Sequence, residues 1–168
     1  MSHPLVLALF DDAERAARAA RGLRDMGVAR AGVSIVARSH EEEGELAEAA
    51  DASPGSEIED SRPASRLGEL SGHLIAAIAL VMPGVGPIVA DGPLAAGLGE
   101  AAGHLAGDIG RMLARAGLAR PEAEQWESSI KAGAILIGAH VDAANVAQVR
   151  DMLSEHGAGR VAQGTWTD

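Results

Sequence analysis

The alternation of apolar and polar residues divides this chain into two similar halves and an unusual middle. Leu5 to Phe10 is an unbroken apolar run, the pattern of a short strand buried on both faces. In the following "DDAERAARAARGLRDMG", Ala13, Ala16, Ala20 and Leu23 share one helical face. Asp11 with Glu14 three residues later predicts a capping box, and Gly27 predicts the stop. "GVSIVAR", Gly32 to Arg38, alternates Val33, Ile35 and Ala37 against Ser34, Val36 and Arg38, so it predicts a half-buried strand.

A second unit of the same kind closes the chain. "AILIGAHV", Ala134 to Val141, predicts an apolar strand, and Asp142 a cap for "AANVAQVRDMLSEHG". Val146, Val149 and Leu153 line one face of that helix, Gly157 ends it, and Gly159 to Trp166 predicts the last strand. Two β-α-β halves of this size imply an α+β, ferredoxin-like frame, with four antiparallel strands and two helices on one face. The first and third strands would be central, and they are the most apolar.

The middle predicts an inserted helical hairpin. Ser61 to Met82 reads as one helix, "PGVGPIVADGP" as the connection, and Gly92 to Gly117 as a second helix. Pro83 and Gly84 would stop the first, Asp91 would cap the second, and Pro93 would lie in its first turn. "RPEAEQWESSIKAG" predicts a short helix leading into the third strand. The whole reads as a single domain: 1–38 as the first β-α-β unit, 39–61 as a linker, 62–118 as the hairpin, and 119–168 as a helix plus the second unit. Gly99, Gly103 and Gly107 recur every four residues with Gly110 close behind, a stripe that either admits close packing or reflects an Ala/Gly-rich composition.

Charge changes this picture little once it is located. The formal net charge is −10, but nine acidic residues and no Lys or Arg fall between Ser39 and Ser61, which marks a solvated linker. The remaining 15 acids face 14 bases, and no basic stripe of the kind nucleic acid requires is visible. There is no cysteine, so thiolate metal sites and disulfides are excluded. The N-terminal residues lack the charged-then-apolar pattern of a signal peptide, and a cytoplasmic location is expected.

The layout resembles the bacterial general-stress-protein-like family, a relative of which is catalogued as predicted membrane proteins of unknown function. The resemblance rests on "PGVGP…GPLAAGL" and "KAGAILIGAHV" and spans nearly the whole chain outside the acidic linker. It implies the frame above and a stress-linked context, and it brings no catalytic residues. The family's hairpin is normally Gly, Ala and Leu throughout, and this chain departs from that.

The departure is a repeat. "GELSGHL", Gly68 to Leu74, returns 31 residues later as "GEAAGHL", Gly99 to Leu105. On a helix, Glu69 and His73 are neighbours, as are Glu100 and His104, with Asp108 one turn further. In a hairpin whose first helix ends at Met82 and whose second begins at Gly92, each Glu stands level with the His of the other helix. A second helix starting at Gly86 would slip the levels by about 8 Å at the helical rise. Two carboxylates and two imidazoles suit Zn, Fe or Mn, with Asp108 as an outer acceptor for His104. The same pairs could instead fix register without a metal, or face solvent. A haem between His73 and His104 would put its ligands out of level.

Other functions have less behind them. No nucleophile elbow, phosphate loop or dinucleotide fingerprint occurs, so a non-enzymatic binding protein is expected, and a metal-dependent oxidase has only the four ligands to recommend it. His140 reads as a strand-end residue, His156 as a favourable charge at a helix C-terminus, and His3 and His40 as residues of mobile segments. Leu74 to Ala90 has 17 residues without a charge, too short and too broken by Pro83–Gly84 for a span, although the tip "LVMPGVGPIVA" would allow peripheral membrane contact. The alternative function is therefore a structural or membrane-associated interaction module. Central strands apolar on both faces need cover on the second face, from the hairpin or from a second copy, and a homo-oligomer is expected.

Overall fold

β1 (Ser2–Phe10) is the strand around which the molecule is built, and its alternation decides where everything else goes. Leu5, Leu7 and Leu9 face one hydrophobic core, and Val6, Ala8 and Phe10 face a second core on the opposite side of the sheet. The computed structural model describes residues 2–38, 78–82, 86–95, 98 and 109–167.

Helix α1 (Ala13–Asp25) follows β1, and β2 (Val33–Arg38) follows it after a 3-10 turn at Arg30–Gly32. The cap of α1 is Asp12, one residue later than the sequence predicts: its backbone is extended and its carboxylate accepts from the Arg15 N–H at 2.8 Å. Ala16, Ala17, Ala19, Ala20 and Leu23 bury the inner face of α1, and their small side chains let the helix lie close to the sheet. β2 differs from its expected half-burial. Ser34 and Val36 are as buried as Ile35 and Ala37, because both faces of this strand are covered.

The largest correction concerns the middle of the chain. Residues 78–82 are strand β3 (Ile78–Met82), and the expected connection contains strand β4 (Gly86–Asp91). The two pair antiparallel, from Ile78 opposite Ala90 to Met82 opposite Gly86, and β4 pairs with β2 from Ile35–Asp91 to Arg38–Ile88. A β-hairpin thus stands where the tip of a helical hairpin was expected. Beyond it, 93–95 are helical, with Pro93 in the first turn as expected. Asp91 is the last residue of β4.

Helices α2 (Ile109–Arg115) and α3 (Arg120–Lys131) come next, followed by β5 (Ile135–His140), α4 (Val146–Glu155) and β6 (Arg160–Thr167). Asp142 precedes a 3-10 turn, Ala143–Asn145, without a side-chain capping bond, so α4 starts later than predicted. Val146, Val149 and Leu153 are buried as expected.

The described strands form one antiparallel sheet in the order β3-β4-β2-β5-β1-β6. α1 and α4 cover one face through the core of Phe10, Leu23, Ile137 and Leu153. α2, α3 and the residues Leu94, Ala95 and Leu98 cover the other, around Trp126, Leu113, Ile130 and Leu7. The second face is therefore covered, among the described residues, by the chain itself. Each fully buried Leu or Ile contributes about 1.5–3 kcal/mol of transfer free energy.

Two glycines permit the closest approaches. Gly92 has φ +83°, and a Cβ there would overlap the Val33 carbonyl oxygen and come 2.7 Å from Ser34 Cα. A Cβ on Gly164 of β6 would overlap the Ala116 carbonyl oxygen, which accepts a bond from the Thr165 N–H at 2.9 Å. That bond ties the turn after α2 to the outer edge of β6.

Candidate functional site

The expected metal ligands Glu69, His73, Glu100 and His104, and the accessory Asp108, lie outside the described residues, as do Gly99, Gly103 and Gly107. Strands β3 and β4 separate the two segments, in place of the direct helix-to-helix turn that would set the four ligands level. Among the described residues no three His, Asp or Glu side chains gather as a metal-binding group. Likewise, no described helix is long and apolar enough to cross a membrane.

A different pair of histidines comes together at one end of the sheet. Pro4 has no N–H to give to β5, so the β1–β5 register stops at Leu5 opposite His140, and Val141 N–H donates to the Pro4 carbonyl at 3.2 Å as the strands part. β1 runs on past the end of β5, paired only with β6, with His3 opposite Trp166. His3 Nε2 and His140 Nδ1 lie 2.7 Å apart, a hydrogen bond in which one ring nitrogen donates and the other accepts. His3, expected in a mobile segment, is a half-buried strand residue in the fold.

Strand alternation puts His3, His140 and Trp166 on the face that carries Leu5 and Leu7. The two imidazole rings are 4.9 Å apart at a tilt of 54°, and the indole of Trp166 meets the His140 ring edge-on at 6.0 Å. The Arg115 guanidinium lies over the same indole at 5.7 Å. These contacts hold His140 from one side.

His3 and His140 also line a cleft of about 340 Å³. His3 and His140 form one wall, Met26 and Val28 after α1 a second, and Asp142, Asn145 and Gln148 a polar third. The Asp142 carboxylate makes no capping bond and is exposed beside the pair. The cleft thus sets the hydrogen-bonded imidazole pair beside one carboxylate and two amides. His156 behaves as its position suggests, with Nδ1 bonded to the Met152 carbonyl at 2.9 Å.

The signal for this site was present in the sequence as "SHPL". A proline next to a histidine at the start of an apolar strand marks the place where a ladder must end. No family model, no curated protein and no solved structure matches this chain.

Proposed function

We propose that this chain is a non-enzymatic binding protein that holds a transition metal through its paired Glu-x-x-x-His motifs, in the stress-linked role the family resemblance implies. The observation that carries the reading is the β3–β4 register. Ile78 opposite Ala90 puts the entry into β3 beside the exit from β4. His73 precedes Ile78 by five residues, Glu100 follows Leu98 by two, and His104 precedes Ile109 by five. Leu98 and Ile109 are anchored in the same core as Ile88 and Ala90. Five residues span at most about 17 Å when fully extended, and the nine from Glu69 to Ile78 about 30 Å, so chain length allows both motifs to reach one neighbourhood.

Within that reach, two carboxylates and two imidazoles supply an oxygen and nitrogen donor set for Zn, Fe or Mn, with Asp108 available to orient His104. Self-association would add ligands from a second chain. The strand order β2-β5-β1-β6, with α1 and α4 on one face, supports a ferredoxin-like frame to which the β3–β4 hairpin adds two strands. Cytoplasmic placement belongs to the same reading. The metal reading is favoured over a membrane-facing one because the apolar run Leu74 to Ala90 spends part of itself in the sheet, with Ile88 and Ala90 fully buried.

Elemental analysis of protein purified without chelator tests it. Stoichiometric Fe, Mn or Zn is expected, with loss of that metal in the His73→Ala/His104→Ala double variant. Metal content that is unchanged in the double variant, or a wild type that carries none, overturns the reading.

A further inference from the structure

We infer that the His3–His140 hydrogen bond is an acid-released clasp, which holds the outer end of β1 against β5 and frees it when both rings are protonated. The facing nitrogens, His3 Nε2 and His140 Nδ1, are 2.7 Å apart and share one hydrogen. Whatever else each ring touches, both of those nitrogens belong to this bond. The clasp also lies where the backbone ladder gives out. The β1–β5 register ends at Leu5 opposite His140, Pro4 brings no N–H to continue it, and the Val141 N–H donates to the Pro4 carbonyl at 3.2 Å as the strands part.

Counting hydrogens gives the response to acid. Two neutral rings carry one hydrogen between them and one on the outer nitrogen of the accepting ring. A first added proton goes to the outer nitrogen of the donating ring, and an imidazolium then donates to an imidazole, a stronger bond than before. A second has only the accepting nitrogen left to take it. Two N–H groups would then point at each other, on two cations whose ring centroids are 4.9 Å apart. The bond is lost at that step, within the acidic range in which histidine changes charge.

Among the described residues, charged groups face the pair from two sides. Asp142, in the turn after β5, lines the cleft with it, and Arg115 of α2 lies over the Trp166 indole that meets His140. The turn after α1 and the start of α4 bring Met26, Val28 and Gln148, which carry no charge. Asp142 and Arg115 act on either proton alike, whereas repulsion between the rings arises only with the second. β5 is fixed between β1 and β2, so His3 is the side that gives, and the cleft it lines widens.

Amide hydrogen exchange followed by NMR from about pH 7.5 to about pH 4.5 tests the inference, with each rate divided by the intrinsic rate at that pH. Protection of the Val141 N–H should fall about tenfold on acidification, while Leu136, Ile137 and Gly138 inside the ladder keep theirs. His3→Gln retains a polar side chain that cannot charge, and it should remove the pH dependence at Val141. His3→Ala, which has no clasp, should lower Val141 protection already near neutral pH and leave little further change in acid. Unchanged Val141 protection in the unmutated protein, or an acid loss that persists in His3→Gln, overturns the inference. A loss shared equally by Leu136 to Gly138 does so as well, because it reports unfolding of the whole sheet.

Discussion

The hydroxyl of Ser34 accepts a hydrogen bond from the backbone N–H of Leu94 at 3.1 Å, inside a core where Ser34 is fully buried. This contact docks the chain leaving β4 onto β2. Replacing Ser34 with Ala strands the Leu94 N–H without a partner. A loss of about 1–3 kcal/mol is expected. Thermal unfolding checks it, with Tm falling by about 2–4 °C per kcal/mol for a chain of this size.

Gly92→Ala is expected to be worse. The left-handed φ of +83° disfavours any Cβ, and this one would overlap the Val33 carbonyl oxygen, which belongs to a strand and cannot step aside. Destabilisation of at least about 3 kcal/mol is expected from denaturant titration, near the upper end for single substitutions.

The position of the α1 cap can be checked by comparing two neighbouring aspartates. Asp12→Ala should cost about 1 kcal/mol, since it removes the acceptor for the Arg15 N–H and the exposed ion pair with Arg15 at 3.2 Å. Asp11→Ala should change stability by no more than about 0.5 kcal/mol. Equal losses in the two variants would contradict the assignment.

His3 and His140 should be energetically coupled. A double-mutant cycle on unfolding free energy, with Ala at each position, is expected to give an interaction of about 0.5–1.5 kcal/mol in metal-free protein.

Much of this architecture was legible because period and punctuation agreed. Leu5 to Phe10, the alanine stripe of α1 and Val146, Val149 and Leu153 each fall where the pattern puts them. The pair β3–β4 was not legible. "IALVM" is continuously apolar, and periodicity cannot tell such a run in a strand from one in a helix. Pro87 argued further against a strand, since proline is rare inside sheets. The buried side of β2 was misjudged for a related reason: Ser34 looks like a solvent-facing residue until Leu94 arrives to use its hydroxyl. The His3–His140 pair required the β1–β5 register, which joins residues from opposite ends of the chain.

That register also governs how the molecule must be made. β1 pairs with β5 and β6 and with no other described strand, so its first hydrogen-bonding partner, Ile135 opposite Phe10, is synthesised more than a hundred residues later. A growing chain therefore carries its most apolar strand with both edges open until the last third has emerged. Closing such long loops slows folding, and the N-terminal apolar run is exposed to aggregation meanwhile. Completion of the central sheet is thus a late event, tied to release of the C-terminal strands, and truncations that remove 135–167 should yield insoluble chains rather than a smaller folded unit.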